Sequence, residues 1–216
     1  YLVVAVFENG ARSIPSEPVC SALLQGFPSI VQVSVEEVDE QNGEIRVSWL
    51  KPSTTMLDSL NGGEPYEYRI YRALPADVTD YQQLTTYNDL NDTVFVDNNI
   101  NTIEYPYYYR VDLFYTDGST GQLELASNGG IASSTWLEPQ GIDNAVRVTY
   151  QKDTPWQNIR DSVFTRTDEQ ATLEFLDVFS GTNTYLHSYL ENGETYHYQL
   201  TGLSQYIADS VEYLTI

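Results

Sequence analysis

LENGETYHYQL, residues 190 to 200, places a leucine before an Asn-Gly turn and then sets Tyr196, Tyr198 and Leu200 at every second position. A period of two is the mark of a strand with one buried face. Asn192-Gly193 offers the backbone freedom that a tight turn needs. Tyrosine suits such a strand, because its ring packs while its hydroxyl finds water or a backbone partner.

The same pattern occurs elsewhere in the chain. YRVDLFYTDG at 109 to 118 alternates likewise and ends in a turn glycine, and YLVVAVFENG at 1 to 10 resembles it position by position. More of the unit repeats around these strands. EIRVSWLKP at 44 to 52 matches AVRVTYQKD at 145 to 153, which sets Trp49 opposite Tyr150. EYRIYRA at 67 to 73 is aligned with DSVFTRT at 161 to 167, and TVFVDNNI at 93 to 100 with TYLHSYL at 184 to 190. Each segment is short and alternating, and the breaks hold Gly, Asn, Asp or Pro. No helical period of useful length intervenes, so the chain is read as all-β.

Short strands at this spacing around an early core Trp or Tyr predict tandem immunoglobulin-like sandwiches, and the residues resemble fibronectin type III modules. The resemblance implies that Trp49, Tyr109 and Tyr150 lie in cores. It also implies that Leu190 plugs one sandwich, that Tyr196 is a corner tyrosine bonded back to backbone, and that Tyr198 and Leu200 fill the interior. The equivalents in the other copy are Ile100, Tyr107, Tyr109 and Val111. The expected division is residues 1–27 as the last strands of a truncated module, 28–134 as one module and 135–216 as another. Short linkers near Phe27-Pro28 and Ser133-Ser134 predict a stiff or semi-stiff rod rather than loosely tethered beads.

Composition narrows the function. Of 216 residues 41% are hydrophobic, enough for real cores, and 18 are tyrosine. Acidic residues outnumber basic ones 31 to 10, a net charge of −21. That charge opposes a phosphate backbone, so nucleic acid is not an expected partner. No apolar run is long enough to span a membrane, and membrane insertion is not expected. Cys20 is the single cysteine; a disulfide to a residue outside the chain and a free thiol are both open.

No nucleophile-base motif, phosphate loop, HExxH or CxxC is present, and the chain is not expected to be an enzyme or to hold a cofactor. The oxygen-rich turns at 88 to 93, 96 to 99 and 115 to 119 are candidates for calcium, though none has EF-hand spacing and such turns form for backbone reasons too. His187 and His197 alternate with tyrosines on a strand pattern and fit packing better than metal binding. Trp136 and Trp156 are candidates for stacking on sugar or for packing between modules.

Some stretches resemble a narrower group. ENGARSIPSEPVC at 8 to 20 is similar to module endings in large secreted proteins of Bacteroidetes. STWLEPQGIDNAVRVTYQKDTPWQN at 134 to 158, with Trp136, Asp143-Asn144 and Pro155-Trp156, resembles the module before the sorting domain of their gliding motility-associated proteins. The resemblance implies type IX secretion and an extracellular, cell-surface location. The partners it implies are other modules of the same long polypeptide, outer-membrane secretion components or surface glycans. The expected role is a spacer or stalk in an adhesin or motility protein. The alternatives are accessory modules of a glycan-binding or polysaccharide-degrading protein, and a structural subunit of the secretion or motility machinery.

Bacteria of this phylum resemble one another in O-glycosylating Asp-Ser/Thr before an apolar residue. Four such triplets occur, which makes Ser59, Thr93, Ser162 and Ser210 candidate sugar sites. Turn chemistry at strand starts explains the same triplets without sugar.

Overall fold

The structure, a computed structural model, describes residues 28–168, 171–208 and 211–215. Its first set of strands is β1 (Ile30–Glu37), β2 (Gly43–Trp49), β3 (Gly62–Leu74), β4 (Asp77–Tyr87), β5 (Val94–Ile100), β6 (Tyr108–Asp117), β7 (Leu123–Asn128) and β8 (Ala132–Ser133). The second set is β9 (Trp136–Ile142), β10 (Ala145–Gln151), β11 (Gln157–Arg166), β12 (Glu174–Phe179), β13 (Thr184–Ser188), β14 (His197–Ala208) and β15 (Val211–Thr215). One short helix among the described residues, α1 (Thr54–Asp58), follows β2; the Ser53 side chain caps it by accepting the Met56 N–H at 3.2 Å. Among the described residues, no helix is long and apolar enough to cross a membrane.

Both sets build the same two antiparallel sheets. In the first, β1-β2-β5 faces β4-β3-β6-β7, with β8 continuing along β6. In the second, β9-β10-β13 faces β12-β11-β14-β15. Alternation explains the core of the first unit. Ile45, Val47 and Trp49 point inward from β2, Tyr68 and Ile70 from β3, and Tyr109, Val111 and Leu113 from β6; all are buried. Trp49 meets Tyr68 edge-on at 5.5 Å and stacks on Tyr87 at 6.2 Å. Each such side chain contributes about 2 kcal/mol of burial.

The second unit repeats the pattern with a smaller core, in which Val148, Tyr150 and Val163 are buried. Ile100, Tyr107, Tyr109 and Val111 are buried in the first unit, whereas their counterparts Leu190, Tyr196, Tyr198 and Leu200 are half-buried. The difference follows from the edge of the sheet. β7 and β8 together flank β6 from Tyr108 to Thr116. β15 pairs only with Ser204 to Ala208 of β14, and among the described residues no strand covers that side of 197 to 203.

One element of the repeat is displaced by a residue from the alignment of EYRIYRA with DSVFTRT. Ile70 pairs with Val111, and Val163 pairs with Leu200. Since Val111 and Leu200 are equivalent, Ile70 corresponds to Val163 and not to Phe164. A slip of one residue exchanges the faces of a strand. Asp161, Val163 and Thr165 therefore point inward and are buried, while Ser162 and Phe164 lie on the outer face. The offset accompanies irregularities in β3 between Gly63 and Glu67 and in β11 between Asn158 and Arg160.

Candidate functional site

Between β8 and β9 the chain passes through Ser134 and Thr135, and both units hold it. Ser133 N–H donates to the Asp153 carbonyl at 2.7 Å, and Asp153 N–H donates to Ser133 Oγ at 2.7 Å. Ser134 N–H donates to the Tyr107 carbonyl at 3.0 Å, and Tyr107 N–H donates to Ser134 Oγ at 3.1 Å. Two serines thus satisfy four backbone contacts that a buried linker would otherwise leave unpaired. Trp136 is half-buried and its indole N–H donates to the Ile103 carbonyl at 3.1 Å. Trp156 packs against the core cluster of the first unit. Both tryptophans also line a cleft of about 1080 Å³ with Tyr196, Tyr198 and Arg166.

Each sandwich buries an aspartate beside a core tyrosine. In the first, Asp97 Oδ2 accepts from Tyr109 Oη at 2.9 Å and from Arg72 at 2.8 Å. Burial, with the Asp97 charge second, raises the Tyr109 pKa far above its ordinary value, so the hydroxyl stays a donor. In the second, Asp161 has a side chain only 1% exposed. Its Oδ2 accepts from Tyr150 Oη at 2.6 Å and from Asn158 Nδ2 at 2.8 Å, and its Oδ1 accepts from Lys152 Nζ at 2.7 Å. Ser204 Oγ donates to Asn158 Oδ1 at 3.3 Å. Burial raises the Tyr150 hydroxyl well above its usual range. Neither aspartate stands out in the sequence as a core residue. The observed register of β11 places Asp161 on the inward face, two residues from Val163.

The corner motif has a definite geometry. Tyr196 Oη accepts the backbone N–H of Glu191 at 3.2 Å, so the hydroxyl serves as acceptor. Asn192 joins that turn to the β9–β10 turn, where its Oδ1 accepts Asn144 N–H at 3.0 Å and its Nδ2 donates to Asp143 Oδ1 at 2.9 Å. Leu190 N–H donates to the Asn144 carbonyl at 2.9 Å, while neighbouring Tyr189 has a φ of 66° and is 99% exposed.

The candidate sugar sites differ among themselves. Ser59 is exposed at the end of α1 and donates to the Met56 carbonyl at 2.6 Å. Thr93, just before β5, is half-buried. Ser162 is half-buried in the middle of β11, between Val178 of β12 and Thr201 of β14. Ser210 and Cys20 lie outside the described residues.

Of the oxygen-rich stretches, 96 to 99 is not a turn but part of β5, where Asp97 bonds Tyr109 and Arg72, and in the other two an aspartate already serves the backbone. Asp89 Oδ1 accepts Asn91 N–H at 2.8 Å, and Asp117 Oδ1 accepts Ser119 and Thr120 N–H at 2.9 and 2.7 Å. Backbone hydrogen bonding holds Asp117 below the usual carboxylate range. Among the described residues no three His, Cys, Asp or Glu side chains converge as a metal site. His187 sits among Tyr185, Tyr196 and Tyr198, with Nδ1 3.1 Å from Tyr198 Oη. Burial lowers the His187 pKa and pushes the Tyr198 hydroxyl up to about 12. His197 is half-buried at the start of β14, and its carbonyl accepts from Thr165 Oγ1 at 3.0 Å.

Two sandwiches with these sheet orders, joined through a bonded serine linker, make the chain a tandem of immunoglobulin-like β-sandwiches. No protein-family model matches the chain, and no curated protein matches it. Among solved structures it is similar to the FN1-FN3 domains of chicken CNTN1, at 10% identity and a TM-score of 0.33, over 99% of this chain and 74% of that one. It is also similar to a two fibronectin type III domain segment of chicken tenascin, at 11% identity and a TM-score of 0.27, over 86% of this chain and 98% of that one.

Proposed function

We propose that the chain is a non-enzymatic spacer region of a large secreted bacterial surface protein, of the gliding motility-associated or adhesin kind exported by the type IX system. The observation that carries this is the junction: Ser133, Ser134, Trp136 and Trp156 connect consecutive sandwiches by hydrogen bonds and packing, as a load-transmitting stalk requires. An excess of 31 acidic over 10 basic residues suits this role, because like charge keeps neighbouring stalks apart. Sugar on Ser59, Thr93, Ser162 or Ser210 would add a hydrated coat. The partners are then other modules of the same polypeptide, with outer-membrane components encountered during export.

Glycopeptide mapping of the native protein from its source tests this. Sequence extending beyond both ends of the chain, with sugar on one or more of the four residues, is the expected result. A bare chain found in the cytoplasm would refute it. A second possibility, glycan binding, draws on the cleft that Trp136 and Trp156 line. Saturable quenching of tryptophan fluorescence by an oligosaccharide, lost in Trp156→Ala, would favour it over the stalk.

A further inference from the structure

The chain has only two lysines, and they occupy matching positions at the ends of β2 and β10. Lys51 is exposed, and its Nζ donates to Asn91 Oδ1 at 2.8 Å. Lys152 has a side chain only 16% exposed and is held against Asp161. Lysine is seldom placed this deep without a specific partner. Here the partner is a carboxylate whose other oxygen is bonded to a primary amide. Asp161 Oδ1 accepts from Lys152 Nζ at 2.7 Å, and Asp161 Oδ2 accepts from Asn158 Nδ2 at 2.8 Å. The three side chains end around one point above Gly202, which pairs with Asp161 across β11 and β14. A Cβ there would lie 3.2 Å from Lys152 Nζ, 3.2 Å from Asp161 Oδ1 and 3.3 Å from Asn158 Oδ1, so glycine leaves room for the group.

We propose that the folded chain joins Lys152 to Asn158 by an isopeptide bond, with Asp161 as the proton carrier. The arrangement holds an amine, an amide and a carboxylate bridging them, which are the parts that transamidation requires. Asp161 Oδ1 takes a proton from the Lys152 ammonium and frees the nitrogen lone pair, which attacks Cγ of Asn158. The carbonyl oxygen gains negative charge and is held by the hydrogen bond from Ser204 Oγ, 3.3 Å away in the starting amide. Asp161 Oδ2 passes its proton to the departing nitrogen, the Cγ–Nδ2 bond breaks and ammonia leaves. The new amide nitrogen loses its second proton through Asp161 to the ammonia, which departs as ammonium, and Asp161 is regenerated as carboxylate. No oxidant or second substrate enters. Holding the groups together replaces an encounter that is very slow in water. Tyr150 Oη, donating to Asp161 Oδ2 at 2.6 Å and lying 2.8 Å from the Thr182 carbonyl oxygen, fixes the carboxylate between its partners. Lys51 has Asn91 but no carboxylate bonded to both in the same way, so it stays a free amine. The product ties the end of β10 to the start of β11 and leaves the loop between them covalently closed.

The test is the intact mass of the full chain, followed by peptide mapping. The expected mass is that of the sequence less one ammonia, with Lys152 resistant to trypsin and a branched peptide joining it to Asn158. Lys152→Arg keeps the positive charge but cannot make this amide, and should have its unmodified sequence mass with the same circular dichroism. Asp161→Asn should also show its unmodified mass, and the arginine variant covers the case in which that protein fails to fold. Asn-Gly pairs elsewhere also release ammonia when they cyclise, so a loss that persists in Lys152→Arg overturns the proposal. So does a folded wild-type chain at its full sequence mass. Loss of water with Lys152 attached to Asp161 overturns it as well, because Asp161 would then be the acceptor.

Discussion

Tyr109 illustrates what a single side chain decides. Its ring is wholly buried, and its hydroxyl and the Arg72 guanidinium share one oxygen of Asp97. Arg72→Met removes the cation while leaving a buried carboxylate behind, and should cost about 3 kcal/mol, measured by urea denaturation. Tyr109→Phe removes only the hydroxyl and should cost about 1 to 2 kcal/mol. His187 makes a prediction in pH. Its folded pKa lies below the unfolded value of 6.5 because burial disfavours the charged ring. Between those two values the unfolded chain binds more protons, so stability is present above pH 6.5 and falls as the solution is acidified through that window. His187→Gln should flatten the pH dependence of unfolding between neutral pH and the onset of carboxylate titration. An unchanged slope in that variant would assign the effect to other groups.

At the scale of elements, the bend between β7 and β8 depends on Gly129. A Cβ at this position would overlap the backbone carbonyl oxygens of Val111 and Pro28. Gly129→Ala should push the strand away from β6 and cost about 2 kcal/mol, seen as a lower unfolding temperature and faster amide exchange in β6. Most elements could be located from the sequence. β2 and β10 show clean alternation, and so do β6 and β14, so Trp49, Tyr150, Tyr109 and Tyr198 fall on inward positions from pattern alone. β3 and β11 were less legible. Their inner and outer faces both carry polar residues, and a shift by one leaves a plausible strand. The cluster of Lys152, Asn158 and Asp161 was hidden for the same reason. Its members come from one strand end and from the bulged start of the next, and nothing in their spacing shows that they meet.

For the molecule as a whole, the junction decides whether the two sandwiches act together. Trp156 belongs by sequence to the second unit and packs against the core cluster of the first. Trp156→Ala should therefore weaken both, by about 2 kcal/mol in the first, and separate their unfolding into two calorimetric transitions. Two coincident transitions retained in the variant would show that the serine hydrogen bonds suffice for coupling. The sequence by itself determined the strands, their inward residues at the clearest positions and the repeat of one sandwich after another. These follow from a period-two pattern and from turn residues that act over a few neighbours. Tertiary structure alone decided the register of β11, the burial of Asp97 and Asp161, the partial cover of β14 and the seat of Trp156. Each of these depends on which distant strand lies alongside, and that pairing is set by cross-strand hydrogen bonds and packing that local pattern does not encode.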